Sequence, residues 1–171
     1  MDLNFRKAVL NESNLIWDIL SQAILRRKED GSQQWQDGYP NLDVVKKDIE
    51  KGAGYVLTNK EEIIGYASIV FNDEPAYEKL DGKWLTNGDF AVLHRLAVSP
   101  EYLGKGLAKK ILLYTEELAL QNEIYSIKVD TNFDNIPMLK IFEKLDYVYC
   151  GEVEFRGGKR KAFEKTLSKN A

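Results

Sequence analysis

The first fifty residues combine one strand-like and two helix-like patterns of hydrophobic positions. Residues 3–9 alternate between apolar and polar well enough to predict a strand. Residues 11–14 offer capping side chains, and the apolar positions after them have helical spacing, which predicts an amphipathic helix ending near Gly31. A polar loop over residues 31–40 precedes a second predicted helix at about residues 42–51.

The remaining pattern predicts six further strands and two further helices. Residues 54–58 and 63–71 form a predicted hairpin that turns at residues 59–61, and residues 72–89 are a long connection. In chain order, the other predicted elements are a strand at 90–98, a helix at about 105–121, a strand at 124–130, a helix at 135–145, and strands at 147–155 and 160–167 that turn around Gly157 and Gly158. No repeat or linker interrupts the chain, so residues 1–171 are predicted to form a single domain.

The stretch from residue 93 to 109 predicts a strand, a tight turn, a glycine loop and the start of a helix. Gly104 and Gly106 bracket Lys105, so no Cβ blocks a ligand from the backbone there. The free N–H groups and the positive dipole end of such a helix form an anion site. Lysines crowd the first turns of this helix, which is unfavourable unless an anion binds. The alternative is an ordinary strand-turn-helix with solvated lysines.

Two familiar phosphate-binding motifs do not fit this loop. The phosphate loop of nucleoside triphosphatases needs a Gly-Lys-Ser/Thr, but Gly106 is followed by Leu107. The dinucleotide fingerprint needs a small residue three positions after Gly106, where Lys109 stands. Neither of these two motifs therefore accounts for the loop.

The same stretch resembles motif A of the GNAT superfamily of N-acetyltransferases. That motif is Gln/Arg-x-x-Gly-x-Gly/Ala, preceded by a strand ending in Val-x-Pro. Residues 103–108 read Leu-Gly-Lys-Gly-Leu-Ala and follow Val98-Ser99-Pro100. One departure is that Leu103 occupies the Gln/Arg position.

A second stretch strengthens the resemblance. Asn135-x-x-Met138-x-x-x-Phe142-Glu-Lys-Leu-Asp-Tyr147 parallels the family's Asn-x-x-Ala-x-x-x-Tyr-Glu-Lys-x-Gly-Phe. Together with the order of predicted elements, the resemblance covers nearly the whole chain. It implies an α/β (α+β) fold with a mixed, mostly antiparallel central sheet of about seven strands. Helices cover both faces of that sheet, and the fourth and fifth strands splay apart.

The resemblance implies acetyl-CoA as the cofactor, CoA as the product and no metal. In the family, backbone amides of the loop hold the pyrophosphate, and the pantetheine pairs with the edge of the preceding strand. The matching positions here are Leu96, Ala97, Val98, Leu103, Gly104, Lys105, Gly106, Leu107, Ala108 and Lys109, with Asn135, Met138 and Phe142 from the second motif. The alternatives are a plain buried strand for residues 96–98 and a plain helix cap for Asn135.

Three residues are candidates for the chemical step. The resemblance makes the Val98 N–H the oxyanion donor. Alternation places His94 on the face of Leu96 and Val98, and imidazole ordinarily exchanges a proton near neutral pH, which suits a general base. The alternative is a hydrogen-bonded core histidine, and a β-bulge in this strand would change the side of the sheet to which His94 points.

The general acid is a separate question. Relatives often have a tyrosine at the position of Phe142, where its hydroxyl protonates the leaving thiolate, but phenylalanine has no hydroxyl. Tyr147, Tyr102 or a water could supply the proton instead, or the step needs no acid from the enzyme.

Acidic and aromatic residues share the loops predicted to flank the acyl group. Such loops suit a cationic amine through cation–π contact and charge pairing. The candidate substrate-binding residues are Trp35, Tyr39, Glu74, Tyr77 and Trp84. The alternative is a set of solvated carboxylates with aromatic rings that plug the core.

Composition narrows the class of protein. The chain has 171 residues, 44% hydrophobic and 30% charged, with a net charge of −3, which argues against a nucleic-acid or anionic-membrane binder. Cys150 and His94 are each the only residue of their type, so neither a disulfide framework nor a histidine-rich zinc site is expected. The N-terminus lacks an apolar signal core and the longest apolar run, residues 63–71, is too short to span a bilayer, so a cytoplasmic location is expected.

Three hypotheses follow from the sequence. The first is an N-acetyltransferase that uses acetyl-CoA and acts on a small-molecule or peptide amine. The second is a non-catalytic acyl-CoA-binding sensor or interaction module, which Leu103 and Phe142 favour. The third is a nucleotide-phosphate binder with a coincidental glycine loop. A homodimer through exposed strand edges or the C-terminal hairpin is compatible with the pattern, and nothing in the sequence selects the acceptor amine.

Overall fold

The computed structural model describes residues 1–155 and 158–169. In these residues the strands are β1 (Leu3–Lys7), β2 (Gly54–Asn59), β3 (Glu62–Phe71), β4 (Asp81–Gly82), β5 (Ala91–Val98), β6 (Ser126–Thr131), β7 (Val148–Phe155) and β8 (Gly158–Thr166). The helices are α1 (Ser13–Glu29), α2 (Leu42–Glu50), α3 (Leu107–Gln121) and α4 (Ile136–Lys144). Short 3₁₀ helices lie at Leu10–Glu12, Pro75–Lys79 and Pro100–Tyr102.

The strands form one open, mostly antiparallel sheet in the order β1-β2-β3-β5-β6-β8-β7-β4. This confirms the predicted mixed fold. The parallel pair is β5 with β6, and its ladder consists of Ala91 opposite Ile127 and Val92 opposite Lys128. A ladder limited to the first residues of both strands is what the predicted splay requires.

The eighth strand, β4, lies inside the segment that the sequence predicts as a plain connection. It pairs with β7 through Asp81 opposite Glu152 and Gly82 opposite Gly151. The backbones approach so closely that a Cβ on Gly82 would lie 2.1 Å from the Cys150 carbonyl oxygen. A two-residue strand has no periodicity to detect, so the sequence pattern predicts seven strands instead of eight.

The chain forms two compact units, of which the first comprises Met1–Ile69 with His94–Tyr114. In it, β1, β2 and β3 are an antiparallel meander. The helices α1 and α2 contribute apolar faces to its core, as their spacing predicts. The main core residues of this unit are Ile16, Ile19, Leu20, Ala23, Trp35, Val45, Val56, Tyr66 and Ala97.

The second unit comprises Val70–Leu93 with Thr115–Ala171. Strand β8 lies between β6 and β7 and is antiparallel to both. A small core forms from Tyr77, Val92, Val153 and Ala162, with Trp84 packed against it. The predicted turn at Gly157 and Gly158 includes Gly157, which lies outside the described residues. That residues 1–171 form a single domain stays a prediction.

Candidate active site

Strand β5 is irregular at Arg95, whose backbone φ of 56° lies in the left-handed region. A residue with a long side chain adopts this conformation at a cost of about 1–3 kcal/mol, so its surroundings must hold it there. Leu96, Ala97 and Val98 are buried in succession, whereas His94 and Arg95 are half-buried. Strict alternation therefore stops at Arg95. The pattern of alternation therefore does not establish that His94 lies on the same face of β5 as Leu96 and Val98, as the sequence analysis predicts.

A buried ion pair holds Arg95 in this conformation. Its Nε donates to Oδ2 of Asp48 at 2.9 Å and its Nη2 donates to Oδ1 at 2.5 Å. The Arg95 and Asp48 side chains expose only 11% and 2% of their surface. Arg95 also donates to the Ser68 hydroxyl at 3.1 Å and to the Tyr39 hydroxyl, while the Tyr66 hydroxyl donates to Asp48 at 2.7 Å. These contacts join α2, β3, β5 and the loop after α1.

The electrostatics of this cluster favour a permanent cation. Burial opposes the charge of Arg95, but the hydrogen bonds and charge of Asp48 outweigh it and raise the pKa of the guanidinium. Burial, followed by the charge of Asp48, raises the pKa of Tyr66. Tyr66 therefore stays a neutral donor to the carboxylate. The pair is rigid as well as charged, because two parallel hydrogen bonds fix the guanidinium plane.

The sequence analysis missed Asp48 and Arg95, although a signal was present. Asp48 lies three residues after Val45, on the buried face of an amphipathic helix. Arg95 interrupts an apolar strand. A charge on each of two buried faces predicts a buried pair, because an isolated buried charge is costly.

The end of β5 carries a second positive group. Arg26 Nη2 donates to the Val98 carbonyl at 3.0 Å. Burial lowers the pKa of Arg26, and its Nη1 atom is buried with no hydrogen-bond partner among residues 1–155 and 158–169. This places positive charge beside the residue predicted to bind the developing oxyanion.

The loop before α3 presents a row of open backbone amides. In the described part of the chain, the amides of residues 104–109 have no hydrogen-bond acceptor, and the first such bond of α3 runs from Lys110 N to Gly106 O at 3.1 Å. Gly104 and Gly106 have φ values of +78° and +73°, and a Cβ on either would meet nothing within 4 Å. Leu103 and Lys105 are exposed, and so are Lys109 and Lys110. The loop therefore fits an anionic group that approaches the backbone.

The second motif lies in the second unit, where its side chains contact one another and neighbouring residues. The Asn135 side chain is buried and accepts from the Met138 amide at 3.4 Å, so it caps α4. Met138 is half-buried. Phe142 is 1% exposed, with its ring centroid 5.6 Å from that of Tyr147 and 5.1 Å from that of Phe163. Asn135 thus has the cap role, which leaves its proposed cofactor role open.

The hydroxyl of Tyr147 meets a buried carboxylate. It donates to Glu116 at 3.2 Å, and Lys165 donates to the other oxygen of Glu116 at 2.8 Å. Burial, followed by the charge of Glu116, raises the pKa of Tyr147 well above its ordinary value, so the phenol keeps its proton. Tyr102, the other tyrosine considered, donates to Glu62 at 2.6 Å.

Replacing Tyr147 with phenylalanine separates a structural from a catalytic role for this hydroxyl. We expect the free energy of unfolding to fall by about 1 kcal/mol, because one buried hydrogen bond is lost while Lys165 still pairs with Glu116. If the hydroxyl protonates the leaving group, kcat falls by about 100-fold as well. Urea unfolding and steady-state kinetics measure the two effects, with Tyr149→Phe as the exposed control. A stability loss at unchanged kcat would contradict the acid role.

Comparison with known proteins decides the family. The model of the acetyltransferase (GNAT) family matches residues 17–147, which is most of the chain. This chain is a GNAT acetyltransferase. It is therefore an acyltransferase enzyme.

The chain is similar to three bacterial proteins that are described as acetyltransferases. A GNAT-family acetyltransferase from Streptococcus agalactiae is 31% identical, covers 97% of this chain and 96% of its own, and superposes with a TM-score of 0.88. An uncharacterised N-acetyltransferase from Bacillus subtilis is 26% identical over 84% of this chain and 81% of its own length. An acetyltransferase from Salmonella typhimurium, solved with its cofactor acetyl-CoA, shares the fold at 16% identity, with a TM-score of 0.70 and coverage of 100% and 97%.

The predicted substrate-binding residues of this GNAT enzyme all have internal contacts. Trp35 is buried, with the Arg27 guanidinium 5.4 Å from its ring centre, and Tyr39 binds Arg95. In the second unit, the partly buried side chain of Glu74 accepts from the Ala76 amide at 3.3 Å. Tyr77 is buried and donates to Asp130 at 2.5 Å, and Trp84 donates to the Tyr77 carbonyl at 2.9 Å. Their contact with an acceptor stays a prediction.

The described residues of this GNAT chain include neither a candidate metal-binding cluster nor a helix that could span a membrane. No group of three or more His, Cys, Asp or Glu side chains there is arranged to hold a metal ion. None of the helices in that part has the length and apolar character to cross a membrane.

Proposed function

We propose that the protein transfers an acetyl group from acetyl-CoA directly to a primary amine of a small molecule or a peptide. The observation that carries the proposal is the row of open amides at residues 104–109 at the N-terminus of α3. A pyrophosphate is the group such a cradle suits, because free N–H groups and the helix dipole both favour an anion. The exposed Lys105 and Lys109 add positive charge at the same place.

Each candidate residue has a role in this reaction. Bound acetyl-CoA would supply the thioester whose carbonyl carbon the neutral amine attacks, with the C–S bond breaking and the thiolate leaving. The Val98 N–H would stabilise the oxyanion, with the Arg26 charge beside it. His94 would take the proton of the amine, and Tyr147 would return one to the thiolate. The edge at residues 96–98 and the second motif would orient the cofactor.

An assay of thiol release tests the proposal. Purified protein is incubated with acetyl-CoA and a panel of amines, peptides and amino acids, and free CoA is measured with a thiol reagent. We expect release that depends on both the protein and an amine. Binding of ATP with no binding of CoA, measured by calorimetry, would contradict the proposal.

His94→Gln tests the proposed base. We expect kcat to fall by about 100-fold, because positioned proton transfer contributes a factor of this size or more. The KM for acetyl-CoA should change little, because the loop that would bind it is intact. His94→Asn is the companion variant, because it also removes the imidazole but leaves a shorter amide side chain. An unchanged kcat in both variants would make His94 a core residue.

A second function is favoured by two specific residues. Leu103 is an exposed leucine at the family's Gln/Arg position, and Phe142 is a buried phenylalanine with no proton to give. Both suit a non-catalytic acyl-CoA-binding module. Tight binding of acetyl-CoA with no thiol release for any acceptor in the panel would select this function over the transferase.

A further inference from the structure

The Val98 carbonyl faces the side of β5 that β3 leaves free. The Ser99 N–H donates to the Ile64 carbonyl of β3 at 2.8 Å. The Val98 C=O belongs to the same peptide unit, and a trans peptide unit directs its C=O and its N–H to opposite sides. The Val98 carbonyl therefore points away from β3, towards the edge where a ligand would pair with the strand.

A side chain from α1 occupies this carbonyl. Arg26 Nη2 donates to the Val98 oxygen at 3.0 Å, although the two residues are 72 positions apart. Arg26, Val98 and residues 104–109 all belong to the first unit. The guanidinium thus stands where a neighbouring strand, or a ligand that pairs as a strand does, would place an N–H donor.

The guanidinium of Arg26 is poorly satisfied in this position. Its Nη1 atom is buried and makes no hydrogen bond within the ranges that the structure describes. A buried donor without an acceptor opposes the conformation that buries it. Burial also lowers the pKa of Arg26, although the charges of Asp30 and Glu29 oppose that shift. The contact with Val98 is therefore one that a better-suited donor can replace.

We propose that Arg26 is an internal competitor for the cofactor edge, whose guanidinium occupies the Val98 carbonyl until a pantetheine amide of acetyl-CoA takes its place. The inference rests on the proposed function, which assigns residues 96–98 to orienting the cofactor. The secondary amides of pantetheine are neutral donors, so they can bind the carbonyl without burying a charge. The exchange frees the stranded Nη1 for solvent, and the arginine stays anchored in α1, so its charge remains near the edge.

This competition sets the apparent affinity for the cofactor. A ligand that binds only the form with Arg26 released has its affinity lowered by the fraction of molecules in that form. The stranded Nη1 offsets much of the gain from the charged hydrogen bond, so the occupied form is favoured only modestly. We expect the contact to weaken the binding of acetyl-CoA by about 3- to 10-fold.

Arg26→Met tests the competition, because methionine keeps an apolar stem and has no donor. We expect the dissociation constant of acetyl-CoA, measured by calorimetry, to fall by about 3- to 10-fold. The affinity for ADP should be unchanged, because ADP has a diphosphate for the amides of residues 104–109 but no pantetheine amide. Lys28→Met is the matched control. Lys28 is an exposed cation in the same last turn of α1, so its loss removes an equal charge without freeing the Val98 carbonyl.

The outcomes separate this proposal from the proposed function. Tighter binding of acetyl-CoA in Arg26→Met alone supports the competition. An unchanged or weaker affinity overturns it, while binding and thiol release by the wild-type protein would still support the transferase. Equal gains for acetyl-CoA and ADP, or an equal gain in Lys28→Met, overturn it as well, because the effect would not arise at the Val98 carbonyl.

A complete lack of acetyl-CoA binding in all three proteins would contradict the proposed function and this inference together. Thermal melts verify that the variants fold. Arg26→Met should preserve folding, because it removes a partly buried charge and a donor that lacks an acceptor.

Discussion

Asp48→Ala is expected to lower the free energy of unfolding by about 3–5 kcal/mol, because it leaves the buried guanidinium of Arg95 without its partner. The same change strands the Tyr66 hydroxyl, which donates to Asp48 in the intact protein. Asp43→Ala is a matched control on the same helix. Asp43 pairs with Lys47 at 3.0 Å, but both side chains are about 70% exposed, so its loss should cost less than about 0.5 kcal/mol. Urea unfolding of the two variants measures the difference.

We expect the pair to affect the reaction as well, because it fixes the left-handed residue that precedes residues 96–98, the proposed cofactor edge of β5. Arg95→Lys keeps the charge and loses the two-point geometry, so we expect kcat to fall at least tenfold with the KM for acetyl-CoA nearly unchanged. Ser68→Ala removes one minor contact of the same guanidinium and should leave kcat within about twofold. Equal effects of Asp48→Ala and Asp43→Ala on stability would show that the pair is not essential to the fold.

The order of helices and strands could be predicted because each long element carries a clear period. In α1, Ile16, Ile19, Leu20 and Ala23 recur at helical spacing and are buried in the structure. The helix predicted at about 42–51 is α2, where Asn41 accepts from the Val44 amide and so marks the start. Such signals are local, and local signals are visible in a single sequence.

The features that sequence reasoning missed depend on residues far apart in the chain. Arg95 and Asp48 are 47 positions apart. Each is a charge on an otherwise apolar face, which is a visible signal, but only the fold shows that the two side chains form a pair with each other. The left-handed φ of Arg95 was equally hidden, since arginine carries no preference for it. Strand β4 depends on the close approach of Gly82 and Gly151. These are tertiary facts, and a pattern of hydrophobic positions does not encode them.

The glycine loop was predictable for the opposite reason. Gly104, Gly106 and the helix that begins at Leu107 are adjacent in sequence. Their spacing alone therefore predicts free backbone amides at the N-terminus of this helix. The structure adds that both glycines adopt positive φ and that the space beside them is open. An alanine there would therefore meet no protein atom, and its effect should fall on a bound ligand.

Gly106→Ala is accordingly expected to raise the dissociation constant of acetyl-CoA by about 10- to 100-fold. The new Cβ would stand where the pyrophosphate approaches the amides, and the loss of one or two charge-assisted hydrogen bonds has this size. The substitution also strains a backbone with a φ of +73°, at a cost of about 1 kcal/mol in folding.

Gly31→Ala is the control that separates strain from ligand contact. Gly31 has a φ of +81° and equally open surroundings, but it lies just after α1, where its amide donates to the Lys28 carbonyl. Both variants should lose similar stability, and only Gly106→Ala should lose affinity for acetyl-CoA in calorimetry. An unchanged affinity in Gly106→Ala would mean that the amides of residues 104–109 do not hold the coenzyme. The added Cβ contacts no protein atom within 4 Å, so a coenzyme bound to these amides is the only group that it could displace.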